Sequence, residues 1–225
     1  MGGFANNAPI VTDGLVFYVD AGNGNSYPGS GTTLTDLIGS KDGTLTNGPT
    51  YSSDNGGSIV FDGTNDYVEI SHSQDLTTDS ITVMFFAKSD ITSTRTTFLG
   101  FSNGGDYAYK TYCMQTWNGN AKQFWSFSGN NSSYQDYTFD IDGNFTDWNF
   151  YCSVITPTNI KTWVNDSLKH DSSSPTFRGS FDRVWIASRG NQYFNGNVSS
   201  LIFYDRALTD AEVTQNYNAL KNRFV

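Results

Sequence analysis

Apolar residues recur along this chain in short runs, most of them with a period of two, separated by clusters of Gly, Asn, Asp, Ser and Pro. Leu15-Val16-Phe17-Tyr18-Val19 predicts a first strand, stopped by "DAGNGNSYPGSG", a loop composition that neither strand nor helix tolerates. In "SIVFDGTNDYVEI" (58–70), Ile59 and Phe61, then Val68 and Ile70, stand two apart and give each flank one face for a core. "DGTND" connects the flanks, with Gly63 free to adopt positive φ. Residues 81–87, "ITVMFFA", are apolar on both faces and predict a central, fully buried strand. Further strands are expected at 97–101, 107–116, 123–127, 148–155, 160–164, 184–187 and 198–204, with "SNGGD", "WNGN", "SGNNSS" and "DIDGN" as loops. No linker, composition break or fixed-period repeat divides the chain. The pattern predicts an all-β fold, an antiparallel two-sheet sandwich or jelly roll.

One helix is expected, over about 209–222. Thr209-Asp210-Ala211-Glu212 has the spacing of a capping box, and Leu208 and Val213 stand at hydrophobic-staple positions. Val213, Tyr217, Leu220 and Phe224 share one helical face, while Asp210 and Glu212 at the start and Lys221 and Arg223 at the end complement the helix dipole.

The 225 residues suit one large β domain. Hydrophobic residues make up 37% and aromatic residues 16%, enough for a substantial core. Only 16% are charged, so Asn, Ser, Thr, Gly and Gln must form much of the surface. The net charge of −9 and the lack of any Lys/Arg cluster argue against nucleic acid as a partner. No apolar run approaches the ~18 residues of a membrane span, so membrane insertion is not expected. The opening "MGGFANNAPIVTDG" lacks a basic segment and a long apolar one, so no secretory signal is expected and synthesis in a cytoplasm is. Cys113 and Cys152 form no Cys-x-x-Cys motif; free thiols in or beside the core are the favoured reading, and a disulfide stays open if their strands are neighbours.

Enzymatic chemistry finds little support. Glycoside hydrolysis usually needs two carboxyl groups flanking the bond. The only glutamates are Glu212, used in the helix cap, and Glu69, on the polar side of its strand; the Glu-x-Asp-x-x-Glu strand of laminarinase-type sandwiches is absent. His72 and His170, the only histidines, lie in "SHSQD" and "KHDSSS", which read as solvated loops. No Gly-x-Ser-x-Gly elbow or phosphate-binding glycine motif occurs. Asp62, Asn65 and Asp66 offer oxygen ligands of the type calcium takes, but their spacing fails as an EF-hand loop, as does that of Asp140, Asp142 and Asn144; turn chemistry is the favoured reading of both clusters. Sugar recognition would use aromatic platforms beside amides. Trp117, Tyr107 and Tyr134 are the ligand-binding candidates, Trp117 first because it stands among amides in "QTWNGNAKQ", whereas Trp148 and Trp163 read as core.

The assembled pattern resembles a known family. "DGLVFYVDAGNG…SIVFDGTNDYVEI", "DWNFYCSVI", "NIKTWVNDSLK" and "YFNGNVSSLIFYDRALTDAEVTQNYNALKNRF" are similar to laminin-G-like (concanavalin A-like) jelly-roll domains, and in particular to those found in tailed-phage virion proteins, marine cyanophages especially. The likeness runs from Asp13 to Phe224, is looser across 90–145, and departs at Asp166, where that turn usually carries glycine. It implies two antiparallel sheets, one concave, preceded by an arm at residues 1–12. It implies glycan or protein binding, with catalysis seldom found among its members, and, in some members, a calcium ion. By that likeness Asp20 and Asp205 join Asp62 and Asp66 as metal candidates. The expectation is a non-enzymatic virion protein, a capsid decoration, head-fibre or tail-fibre component. Its expected partners are other virion proteins through the arm, a host-surface glycan and, for a fibre, further copies of itself. A carbohydrate-binding module not tied to a virion, with calcium as a candidate cofactor, is the alternative, and a glycoside hydrolase or lyase the third reading.

Overall fold

The computed structural model describes residues 8–75, 78–90, 96–102, 112–116, 123–130, 133–140, 144–173, 180–190 and 192–224. Among them the strands are β1 (Leu15–Asp20), β2 (Thr33–Leu34), β3 (Gly43–Thr46), β4 (Thr50–Ser52), β5 (Ser58–Asp62), β6 (Tyr67–Asp75), β7 (Ile81–Ser89) and β8 (Thr96–Ser102). They continue with β9 (Tyr112–Thr116), β10 (Gln123–Asn130), β11 (Ser133–Asp140), β12 (Asn149–Thr156), β13 (Asn159–Val164), β14 (Ser167–Ser172), β15 (Ser180–Ile186) and β16 (Asn195–Tyr204). One helix, α1 (Asp210–Leu220), closes the chain with a 3-10 turn at Lys221–Arg223.

Two eight-stranded antiparallel sheets face each other. The first runs β14-β13-β12-β7-β16-β5-β4, with β1 also on β16; the second runs β11-β10-β9-β8-β15-β6-β3-β2. The predicted all-β sandwich with one C-terminal helix is therefore the observed architecture. The "DGTND" segment is a crossover rather than a hairpin turn, because β5 belongs to the first sheet and β6 to the second.

The core has two layers. Phe17, Ile59, Phe61, Val68, Ile70, Val83, Phe85, Phe98, Phe101, Phe181 and Phe203 fill the space between the sheets. On the other side of the first sheet, Met84, Phe86, Phe150, Trp163, Ile202 and Tyr204 meet Leu208, Val213, Tyr217, Leu220 and Phe224. This is why "ITVMFFA" is apolar on both faces: Ile81, Val83 and Phe85 point between the sheets, Met84 and Phe86 toward α1. The helix caps as its sequence predicts, Glu212 N donating to Thr209 Oγ1 and Thr209 N to Glu212 Oε2 (2.8 Å). Arg206 also clamps Glu212 (2.6 Å) and, with Thr209, draws the carboxyl pKa down to about 2.

The first sheet contains a seam. β16 pairs with β5 over Asn195–Val198 and with β1 over Ser200–Tyr204, so two strands share one edge and meet at Ser199. Gly57 approaches β1 so closely there that a Cβ on it would stand 2.7 Å from the Ala21 carbonyl oxygen, and its φ of 118° suits glycine. Arg223 closes the seam: Nη1 donates to both oxygens of Asp20 (2.8 and 2.7 Å), and Nη2 to Ser199 Oγ (2.9 Å) and Gly57 O (3.2 Å). From Pro9 on, the N-terminal segment is tied to the domain as well. Gln215 Nε2 donates to Pro9 O (2.7 Å), Val11 N to Asn216 Oδ1 (2.8 Å), and Tyr204 Oη to Val11 O (2.8 Å).

His72 and His170 are not loop residues. His72 lies in β6 and faces inward, 4% exposed, stacked on Phe203 with ring centroids 5.2 Å apart and close to Phe181 at 5.7 Å. The alternation Val68-Ile70-His72 continues the buried face of the strand, and that signal outweighs the serines beside it. His170 stands in β14, an edge strand that the sequence reading does not distinguish from a loop.

Candidate functional site

The four metal candidates do not converge. Antiparallel pairing of β1 with β16 sets Asp20 opposite Ser200 and Leu15 opposite Tyr204, so Asp20 and Asp205 lie at opposite ends of β1. Asp20 is 6% exposed; its oxygens are taken by Arg223, by Gly22 N (2.8 Å) and by the Tyr18 hydroxyl (3.1 Å). Asp205 is exposed beside Gly14, whose carbonyl accepts its N–H (2.9 Å).

Asp62 and Asp66 organise the crossover itself. Thr64 N donates to Asp62 Oδ1 (2.7 Å), Asp62 N to Asp66 Oδ2 (3.2 Å), and Asn47 Nδ2 to Asn65 O (2.9 Å). Gly63 has φ 79°, and a Cβ there would meet Asn195 Cβ at 2.8 Å. Burial pushes the Asp66 carboxyl pKa up, and the neighbouring Asp62 charge adds to the rise. These bonds are turn chemistry. Among the described residues no three His, Cys, Asp or Glu side chains gather as a metal site.

Of the aromatic candidates, Trp117 and Tyr107 lie outside the described residues. Tyr134 is in β11, opposite Gly129 on β10, and its side chain also lies outside them. Cys152 is free and buried in β12 of the first sheet, while Cys113 belongs to β9 of the second. Burial raises the Cys152 thiol pKa well above its ordinary value.

The face that gathers aromatic and hydrogen-bonding groups is the outer side of the second sheet. Its strands bury Val68, Ile70, Val184 and Ile186 toward the first sheet, so the alternating partners face outward. Register places Thr44 beside Glu69, Glu69 beside Trp185, and Trp185 beside Gly100 on four adjacent strands, and the pairing continues through Cys113 and Phe127 to Asp136. Trp185 Nε1 donates to Glu69 Oε2 (2.8 Å), and the half-buried Tyr67 ring meets Trp185 edge-on at 6.4 Å. Arg183, displaced by a register shift between Phe181 and Arg183, stands between two carboxylates: Nη1 is 3.8 Å from Glu69 Oε2 and Nε 3.5 Å from Asp182 Oδ1. The three charged side chains are 35–46% exposed, whereas Trp185 is 7% exposed.

This arrangement offers a ring edge, a fixed carboxylate and a guanidinium within one patch, the mix that hydroxyl-rich ligands use. Sequence reading passes over Tyr67 and Trp185 and takes Glu69 as merely solvent-facing. The signal was the alternation of "YVEI" and "RVWI", which puts Tyr67, Glu69, Arg183 and Trp185 outside. The strand pairing that unites them is not local.

The fold is that of a lectin-like β-sandwich. Residues 62–214 match the concanavalin A-like lectin/glucanases superfamily, and the chain belongs to that family. No curated protein matches the sequence. Among solved structures, the binding domain of botulinum neurotoxin DC in complex with rat synaptotagmin II is similar, with a TM-score of 0.73 at 11% identity over 92% of this chain and 52% of that one. A structure of botulinum neurotoxin type C, whose cell entry depends upon interaction with two ganglioside molecules, has a TM-score of 0.71 at 12% identity over 92% and 51%. Trypanosoma rangeli sialidase in complex with sialic acid has a TM-score of 0.71 at 12% identity over 96% of this chain and 34% of that one. The chain thus spans about half of the neurotoxin chains and a third of the sialidase. At such identities the likeness is one of fold.

Proposed function

We propose that this chain is a non-enzymatic attachment domain of a tailed-phage virion, a capsid decoration, head-fibre or tail-fibre component that holds a host-surface glycan on the outer face of its second sheet. The observation that carries the binding half is the cluster of Tyr67, Trp185, Glu69 and Arg183, ordered by the Trp185–Glu69 hydrogen bond and open to solvent at its charged end. The family's lectin members and the ganglioside-dependent neurotoxin of the same fold support a carbohydrate ligand. The resemblance of residues 13–224 to phage virion domains supports the setting.

Catalysis fits the cluster less well than binding does. Glu69 and Asp182 are a carboxylate pair, but Arg183 occupies the space between them, where a scissile bond would have to pass.

Two experiments test the proposal. Peptide mass spectrometry of purified virions should find the chain, and its absence from the particles overturns the setting. A glycan array should give saturable hits that Tyr67→Ala and Trp185→Phe weaken without unfolding the domain. Hits that survive both substitutions place binding elsewhere, and sustained turnover of a polysaccharide replaces binding with catalysis.

A further inference from the structure

Residues 8–13 lie in no helix or strand, yet they fill a slot on α1 and β16 that reads their main chain. Gln215 Nε2 donates to Pro9 O (2.7 Å), Val11 N to Asn216 Oδ1 (2.8 Å) and Tyr204 Oη to Val11 O (2.8 Å). Asn216 and Tyr204 are fully buried and joined to each other, Asn216 Nδ2 donating to Tyr204 Oη at 3.0 Å. The Val11 side chain joins the apolar cluster of Leu208 and Val213. An empty slot would leave a buried amide oxygen without its donor and a buried phenol without its acceptor, so the slot demands an occupant, and peptide main chain satisfies it. The segment enters through a hinge. Asp13 is fixed to Arg206 by its carboxylate (3.0 Å) and its carbonyl (3.1 Å), and Gly14 O accepts from Asp205 N (2.9 Å). Between that anchor and Val11 stands the exposed Thr12, whose carbonyl closes a turn with Leu15 N at 3.2 Å. Rotation about Thr12 and the loss of that one turn bond therefore free residues 8–11 as a unit.

We propose that this slot is a joint between two copies of the chain: residues 8–11 of one copy fill the slot of a second, which returns its own segment to the first. The exchanged pair makes the same slot contacts as the single chain, so only the hinge and the concentration separate the two states. The short connection holds the segment at an effective concentration of the order of millimolar, and exchange takes over as copies crowd to that level. Val11 and Asp13 are at most about 7 Å apart in an extended chain, so the two slots must adjoin across a two-fold axis beside Thr12. Gln215 and the exposed Thr214 of α1 then lie at the contact. The joint is on the first-sheet side and leaves the outer face of the second sheet as it is, so it stands apart from the glycan reading.

The test uses the full chain. Unmodified, it should sediment as a monomer when dilute and shift toward a dimer as the concentration approaches about 1 mM. Two further preparations, both with Cys113→Ser, carry Pro9→Cys and Gln215→Cys respectively. They are mixed, equilibrated across the same concentrations and treated with a short bismaleimide. Cross-linked pairs of the two chains should form several-fold more often than when Leu168→Cys, an exposed position on the edge strand β14, replaces Gln215→Cys and reports random collision. A monomer at every concentration overturns the joint. A cross-linking yield at 215 equal to that at 168 overturns it as well, even where dimers sediment, because the copies then meet through another surface.

Discussion

Acid should weaken this fold through His72, by an amount the structure allows to be worked out. The imidazole is enclosed between the sheets, stacked on Phe203 and close to Phe181, and its Nδ1 accepts from Lys41 Nζ at 3.0 Å, which puts the ring proton of the neutral form on Nε2. Burial, and then the Lys41 charge, push its pKa down from 6.5 to about 4, against small opposing contributions from Gln74 and Asp36. The folded state thus refuses a proton that the unfolded chain takes. The stability this confers is whole above pH 6.5 and is lost as pH falls through 4. The shift corresponds to about 3 kcal/mol once both states are protonated, and to about 2 kcal/mol at pH 5. For a chain of this size the pH 5 figure equals a fall in Tm of about 4–8 °C. His72→Gln keeps an acceptor for Lys41 and does not titrate in this range. Urea unfolding of both proteins from pH 7.5 to 4 should show the wild type losing about 2 kcal/mol more than the variant by pH 5. Carboxylates such as Asp66 and Glu212 titrate in both proteins and cancel in the difference. Parallel stability curves would refute the burial argument.

Three other outcomes follow from single contacts. Arg223→Ala strips the seam of its clamp and leaves Asp20 buried without its cation, so a loss of about 3–5 kcal/mol is expected in denaturant titration, and Arg223→Lys should recover little of it because the planar fork is gone. Thr209→Ala removes the hydroxyl that caps α1 and should cost about 1 kcal/mol, with the far-ultraviolet spectrum preserved. Cys152, buried with its thiol pKa raised, should label with a thiol reagent only at the rate of unfolding when Cys113 is replaced by Ser; prompt labelling in native buffer would contradict its place beneath α1.

How far the sequence could be read depended on how each residue's partner is reached. The strands β1, β5 to β7, β12, β13 and β16 and the helix cap are written in local periodicity and in a four-residue motif, so they were legible. β11 and β14 carry weaker apolar patterns at sheet edges and were missed, although "SYQDYTF" alternates. The inward turn of His72 is written only in the register of its strand, because its polar type and flanking serines point the other way. The pairing of Asp20 with Arg223 spans 203 positions, and that of Glu69 with Trp185 spans 116, distances over which only the strand order of the folded sheets decides who meets whom. The same holds for Asp20 as a metal candidate: its acidity is local information, whereas the guanidinium that occupies it comes from the other end of the chain.

The two sheets differ in what covers them, and the proposed glycan site follows from that difference. The outer face of the first sheet is sealed by α1 and residues 9–13: Phe224 stacks on Phe86 at 4.3 Å, Val213 and Leu208 are buried, and Asn216 bonds both Tyr204 and Val11. The part of that face under α1 is closed to ligand unless the helix detaches, and with it the Arg223 clamp on the β1–β5 seam. The second sheet has no helix over it among the described residues, and its outward positions at Tyr67, Glu69, Asp182 and Arg183 remain open to solvent. A helix that stabilises one sheet by burying its second apolar face thereby makes the other sheet the more open of the two among the described residues. The polar alternation of β6 and β15 is the sequence counterpart of that division, just as the "ITVMFFA" run, apolar on both faces, is the counterpart of the side under α1.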